Sequence, residues 1–277
     1  VPYLPLSNVC LYLYHSWLKN TDKFHAGACT DLMSVEYFGL VFVTYTTKAN
    51  VYELKTKTPA HNLIVFGVGR HAELLAWLFQ EDSEFQVIGF CQDGLTEGSE
   101  DTLLCGLPVF SLDTVFTRFS PKEVYIHIAI GTNVIRQKYF AIFQEKGFGF
   151  ASYISSYSRV WKDLQTGENC FIGQGAVIQP KVTIGDNTIV MGASIGHHTR
   201  IGSHVLISCP AIGGSVTIGD YSFVGMNAII REKLTIGCHN IIGAGTVILH
   251  DTGDDEVYSV PSTPKRKISA KDVKVFK

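Results

Sequence analysis

Between residues 151 and 250 an aliphatic residue returns at every sixth position. Ile154, Val160, Ile172, Ile178, Ile184 and Val190 share one phase. After a slip of one residue the phase resumes at Ile195, Ile201 and Ile207. After a second slip it runs through Ile212, Ile218, Val224, Ile230, Ile236, Ile242 and Ile248. Glycine follows the aliphatic directly at Gly173, Gly185, Gly196, Gly202, Gly213, Gly219, Gly225, Gly237 and Gly243. Such a period fits neither a helix nor a simple alternating strand. It predicts a solenoid with one short strand and one turn per repeat, three repeats closing each triangular coil and the aliphatics pointing inward. The adjacent glycine is expected to permit the tight corner.

Residues 61–150 follow a different pattern. The apolar run at 62–67 (NLIVFG) reads as a buried parallel strand, followed by a glycine turn and a helix across 71–81. A second buried strand spans 85–91 and ends at Gln92-Asp93-Gly94. A short strand and turn occupy 107–112, and a third clear strand lies at 123–130. Gly131-Thr132-Asn133 and a helix across 134–146 follow. Strands alternating with helices predict a Rossmann-like parallel sheet. The expected organisation is an N-terminal extension of unknown role (1–60), a Rossmann-like domain (61–150), a parallel β-helix (151–250) and an exit segment (251–277). In the extension only a short strand at 37–45 is expected.

Composition narrows the class. The 277 residues suffice for one large domain or two ordinary ones, and 46% hydrophobic with 17% charged residues is globular. A formal charge of −2 lacks the basic excess of a nucleic-acid binder. The seven cysteines (Cys10, Cys29, Cys91, Cys105, Cys170, Cys209 and Cys238) are scattered and contain no CxxC pair, which argues against a disulfide framework or structural zinc and fits a reducing cytoplasm. No run of 18 apolar residues suggests a membrane span, and residues 1–13 lack the basic leader of a secretory signal.

Candidate chemistry concentrates in Ser194-Ile195-Gly196-His197-His198-Thr199-Arg200-Ile201-Gly202-Ser203-His204, with three histidines on solenoid turns. The interior belongs to the aliphatics, so these rings project outward, either as plain surface or interface residues or into a groove between neighbouring solenoids. Imidazole suits the general base that acyl transfer from a thioester requires. The oxyanion needs an N–H donor, for which Gly213 and Gly214 are candidates, or they serve turn geometry alone. Zinc is the rival use of the histidines. Adjacent His197 and His198 should diverge, so a shared ion is disfavoured and no metal is expected. Gly67-Val68-Gly69-Arg70-His71-Ala72 follows a strand and opens a helix, the context of a phosphate-binding turn or simply a tight turn. Asp93 ends the second strand, where a ribose-binding acid would sit. No nicotinamide-side constellation supports hydride transfer.

The order of strand, GVGRHAE and helix, followed by hexapeptide repeats containing SIGHHTRIG, resembles the bacterial nucleotide-sugar acetyltransferases of the sialic acid and bacillosamine pathways, sugar O-acyltransferases of the left-handed β-helix superfamily. The resemblance covers about residues 61–268. It implies acetyl transfer from acetyl-CoA to an amine or hydroxyl of a nucleotide-linked sugar. It puts the catalytic base at His197, His198 where an acid usually stands, and the oxyanion glycine at Gly214. A second family histidine falls on Leu206 without a gap and on His204 with a two-residue gap, the preferred alignment, near the coenzyme A thioester. Coenzyme A contacts are expected at Gly225, Asn227, Gly243 and Ala244, and at Lys265 and Arg266. The nucleotide is expected at Gly67, Gly69, Arg70, His71, Asp93 and Gly131. The resemblance also implies a homotrimer with sites between prisms. The remaining alternatives are a zinc hydratase on the same fold, a non-catalytic β-helix scaffold, and acyl transfer to another acceptor such as an amino acid.

Overall fold

The computed structural model describes residues 61–95 and 102–273. The strand expected at 37–45, with Cys10 and Cys29, lies outside the described residues. The chain first builds β1 (His61–Phe66), α1 (Arg70–Asp82), β2 (Phe85–Gln92), β3 (Leu103–Leu104), β4 (Leu107–Ser111), α2 (Leu112–Arg118), β5 (Val124–Ile128), α3 (Asn133–Glu145) and β6 (Gly149–Phe150). The sheet order is β3-β4-β2-β1-β5-β6, parallel except for the β3–β4 pair. Central β1 is covered on both sides. Leu63 and Val65 pack with Leu75, Ala76 and Phe79 of α1, whereas Ile64 and Phe66 pack with Phe140 and Phe143 of α3. That two-sided burial explains its unbroken apolar run. Helix α2 was not anticipated from the sequence. Its signal was the cap at Ser111, whose Oγ accepts from Thr114 N at 3.0 Å.

From Tyr153 onward the chain winds into a three-faced prism of parallel strands, each two or three residues long. The first face has seven strands, from Tyr153–Ile154 to Val257–Tyr258. The second has six, from Arg159–Val160 to Val247–Ile248, and the third has five, from Gln165–Thr166 to Thr235–Ile236. The six-residue aliphatics form one continuous core from Ile172 to Ile248. Each fully buried Ile side chain stabilises by roughly 1.5–3 kcal/mol. Ile154 departs from this: it pairs with Ile172 but is 43% exposed, because no coil precedes it. Both phase slips fall on the edge joining the first and second faces. There the strands Ile189–Met191 and Leu206–Ser208 run one residue longer and Gly192 and Cys209 take positive φ.

The glycines after each aliphatic act differently from the expectation. Their φ values are not positive; the left-handed position falls two residues later, on His198, His204, Tyr221, Asn227 and His239 among others. What requires glycine is the coil below: a Cβ at Gly196 would run into the backbone of Gly213 and Gly214. Strand spacing therefore sets the glycine periodicity, and polar turn residues absorb the left-handed corner.

Outward residues distinguish the faces. The third face presents Gln165, Thr183, Arg200, Thr217 and Thr235. The first presents Tyr153, Phe171, Ile189 and Leu206, and these join the α1 side of the Rossmann-like sheet in one apolar cluster.

Candidate active site

Residues on the edge joining the second and third faces stack coil upon coil. The His197 ring is exposed there. The His197 backbone N–H donates to Gln179 Oε1 at 3.0 Å from the preceding coil, and the His197 carbonyl accepts from Ser215 N at 2.7 Å from the next. Contrary to the expectation that adjacent histidines diverge, His197 Nδ1 lies 3.0 Å from His198 Nδ1, with the rings at 87°. The cause is backbone geometry: His198 has φ of 60°, which turns its side chain back onto its neighbour. His197 Nε2 has no hydrogen-bond partner among the described residues. The ring lies over Gly214, where a Cβ would be 2.8 Å from Cε1 and 2.9 Å from Nε2. Gly214 N–H likewise finds no acceptor among the described residues, although its carbonyl accepts from Lys233 N at 2.9 Å. On the edge joining the third and first faces, comparable turn amides are capped, Ser203 N by Asp220 at 2.7 Å and Cys238 N by Asp254 at 2.7 Å. An uncapped amide beside an unpartnered imidazole nitrogen is suited to charge developing on a substrate oxygen. Gln179 escaped the sequence reading; its signal was the coil register that stacks it over Gly196.

His204 is on that other edge, separated from His197 by a whole strand of the third face. Its Nδ1 accepts from Asn187 Nδ2 at 2.8 Å, and Asn187 Oδ1 accepts from Asn169 Nδ2. Asn169 Oδ1 takes Ile128 N–H at 2.8 Å, which ties the ladder to β5. The ring stacks on Tyr221 at 4.8 Å, and Tyr221 stacks on His239 at 4.7 Å. Burial first, then the charge of Arg136, lowers the His204 pKa. Within one chain His204 and His197 therefore stand on different edges, and Leu206, the ungapped position, lies within a first-face strand.

Arg136 of α3 is fully buried and has no carboxylate partner among the described residues. Nε donates to Asn187 O, one terminal nitrogen to Ile130 O and Gly131 O, and the other to Asn133 Oδ1, His204 O and Val205 O. Burial pulls its pKa down to about 10, so it stays charged at neutral pH. One side chain thus joins the loop after β5 to the prism. It was not singled out in the sequence, because its partners are distant carbonyls that no motif marks.

Gly67, Asp93 and Gly131 lie together beyond the carboxyl ends of β1, β2 and β5. Chain order reverses between β1 and β5, where such sheets form their ligand crevice. Gly67 has φ of 125°, and a Cβ there would be 3.2 Å from Ala129 O. Gly69 is the N-cap of α1 without a side-chain cap, and Arg70 beside it is exposed. Asp93 accepts from Gly94 N at 2.8 Å and from the Tyr139 hydroxyl at 2.7 Å. His71 departs from this group: its ring meets Phe171 of the prism edge-on at 6.0 Å, and its Nε2 is buried without a partner among the described residues. Burial, then Arg136, lowers its pKa. Gly225, Asn227, Gly243 and Ala244 line the edge joining the first and second faces, and Lys265 and Arg266 are exposed in the exit segment. Within one chain the expected residues thus fall on three separate prism edges, the crevice and the tail. Among the described residues no three His, Cys, Asp or Glu side chains are grouped to hold a metal, and no helix is long and apolar enough to cross a membrane.

Comparison with known proteins follows this division. The PglD N-terminal domain matches residues 62–143, and the bacterial transferase hexapeptide (six repeats) matches residues 163–192. Curated relatives include the bifunctional protein GlmU of Acaryochloris marina, 29% identical over 152 residues (50% of this chain, 32% of that one). Another is the UDP-3-O-acylglucosamine N-acyltransferase of Albidiferax ferrireducens, 32% identical over 115 residues (37% of this chain, 33% of that one). The chain thus spans about a third of the length of these relatives. Among solved structures, PerB from Caulobacter crescentus, in complex with CoA and GDP-perosamine, aligns with TM-score 0.63 and 25% identity over 72% of this chain and 93% of that one. The acetyltransferase domain of PglB from Neisseria gonorrhoeae, in complex with acetyl coenzyme A, aligns with TM-score 0.62 and 25% identity over 71% and 95%. Residues 62–143 thus match a PglD N-terminal domain and residues 163–192 hexapeptide transferase repeats, and the described chain has the fold of these acetyltransferase structures.

Proposed function

We propose that this protein moves an acetyl group from acetyl-CoA to an amine or hydroxyl of a nucleotide-linked sugar, with His197 as general base. The observation that carries the reading is the His197 ring over Gly214, with Nδ1 held by His198 and Nε2 unpartnered. For Nε2 to take a proton, Nδ1 must carry the hydrogen and donate it to His198 Nδ1. His198 thereby takes the orienting part usually played by an acid. As the acceptor nucleophile attacks the thioester carbonyl, its proton passes to Nε2 and the oxyanion receives the Gly214 N–H. Collapse breaks the carbon–sulfur bond, and the imidazolium returns the proton to the departing thiolate. The products are the acetylated sugar and CoA. The similar PerB structure, which holds CoA and GDP-perosamine, supports this choice of co-substrates.

The nucleotide is assigned to the crevice at Gly67, Gly69, Asp93 and Gly131 of the 61–150 domain, and CoA to Gly225, Asn227, Gly243 and Ala244, with Lys265 and Arg266 near its phosphates. These groups and His197 occupy different edges of one prism, so a complete site takes residues from more than one copy. A homotrimer meets that need. It also fits the exposed apolar positions on the later coils, where Met226 is 53%, Val247 55% and Val257 67% exposed. A cytoplasmic location belongs to the same reading and fits the described cysteines, which are free thiols.

The test is acetyl-CoA turnover with a panel of nucleotide sugars by wild type and His197→Ala. Loss of the base lowers kcat by about 10²–10⁴-fold, while the exposed position leaves Tm unchanged. Near-normal turnover by the variant refutes the assignment.

A further inference from the structure

The loop at 130–133, between β5 and α3, forms one lip of the crevice, and Arg136 orients its backbone from behind. One guanidinium nitrogen donates to the carbonyls of Ile130 and Gly131 at 3.0 and 2.8 Å. Across a trans peptide the N–H points opposite to the carbonyl, and no peptide bond here is cis. The amides of Gly131 and Thr132 therefore turn away from the guanidinium, to the exposed side of the loop. Neither finds an acceptor among the described residues. Thr132 is the N-cap of α3 but gives no side-chain cap, so the helix also begins with uncapped amides.

Asn133 pins this lip to the prism. Its Nδ2 donates to Tyr221 O at 3.0 Å and to Ser222 O at 3.4 Å, and its Oδ1 accepts from the other terminal nitrogen of Arg136 at 3.1 Å. That nitrogen also donates to His204 O and Val205 O. The loop thus has its carbonyls engaged inward and its N–H groups left outward. No carboxylate among the described residues meets the charge of Arg136. Its field reaches the opposite lip: after burial, the Arg136 charge is what lowers the pKa of His71 in the first turn of α1. An uncompensated buried cation behind a row of free amides favours an anion in front of them.

We infer that Asn133 and Arg136 are positioning residues for the acceptor's diphosphate: they hold the loop so that the N–H groups of Gly131 and Thr132 receive a phosphate of the nucleotide sugar. The inference rests on the reading that places the nucleotide in this crevice, and it adds the groups that shape the crevice for it. Neither side chain touches the ligand; each acts through the backbone between. The same two side chains grip the prism at His204–Val205 and Tyr221–Ser222, so the phosphate is held at a fixed place relative to the coils.

The experiment is calorimetric titration of wild type, Asn133→Ala and Arg136→Lys with UDP, GDP, CDP and dTDP, with the parent nucleosides, and with CoA. For a nucleoside diphosphate that wild type binds, loss of a well-placed hydrogen bond to a charged group raises Kd about tenfold or more in the variants, while Kd for its nucleoside and for CoA stays within about twofold. Circular dichroism and the unliganded Tm check folding. Should Arg136→Lys fail to fold, Asn133→Ala decides the matter, since that side chain is only half-buried. A merely structural role weakens diphosphate, nucleoside and CoA together, and that outcome overturns the inference, as does an unchanged affinity for the diphosphate. Wild type that binds none of the four nucleotides removes the crevice reading itself, and the inference with it, before any variant is made.

Discussion

His197 and His204 come from one eleven-residue segment and occupy turns at opposite ends of the strand Arg200–Ile201, yet they end in opposite circumstances. His197 stands on an edge that no described residue covers, with one nitrogen steadied by His198 and the other open. His204 stands on the edge against α3, bonded to Asn187, stacked on Tyr221 and under the charge of a buried arginine. The repeat places both side chains outside the prism; the packed neighbour then decides which one is left exposed. One nitrogen is held in each; what separates them is that the His197 ring is exposed, whereas the His204 ring is half-buried and stacked on Tyr221.

The largest effect separating the two edges is acid lability. His127 of β5 is completely buried, donates Nδ1–H to Ala151 O at 2.8 Å, and has its pKa lowered to about 4, chiefly by burial. His71 and His204 shift the same way. A depressed histidine pKa means that the unfolded chain binds the proton first, so stability is full above about pH 6.5 and is lost as pH falls towards 4. For His127 alone the loss reaches about 2 kcal/mol by pH 5. Denaturant midpoints measured from pH 8 to 5 should fall accordingly, and His127→Gln should flatten the curve. An unchanged wild-type midpoint would mean that this side of the molecule is not sealed.

The next effect concerns the open edge. In Gly214→Ala the new methyl meets the His197 imidazole rather than backbone, so the ring yields and the fold does not. Turnover should drop by about 10–100-fold, since displacing a reacting group by about an ångström has that cost, with Tm nearly unchanged. Wild-type turnover in this variant would separate His197 from Gly214 as a working pair. The smallest effect is His204→Ala, which removes the Tyr221 stack and the Asn187 bond. It should lower stability by about 1–2 kcal/mol and leave turnover within about twofold. A rate loss as large as that of His197→Ala would show that the two edges act as one site.

Much of this architecture was legible beforehand because it repeats. The six-residue period declares coils, inward aliphatics and even the two shortened turns, since each inward position faces the same requirement as the one a coil above. The alternation of apolar runs with helical segments likewise announces a parallel sheet, and its glycine turn predicts a crevice beyond β1. The histidine pair stood out as chemistry because turns in the rest of the repeat carry mostly small polar residues. Beyond α2 and Gln179, three things stayed hidden: the left-handed backbone that folds His198 onto His197, the inter-coil crowding that demands each glycine, and the Arg136 clamp.

Those hidden features share a cause. Local periodicity reports what every repeat must satisfy, so the sequence by itself determined the coil, its core and the list of outward side chains. Which outward side chain is sealed and which is open depends on contacts between residues far apart in the chain, as when Arg136 reaches the carbonyls of Asn187 and His204. Only the tertiary structure decided that, because burial and charge act through space, and neither leaves a pattern along the chain.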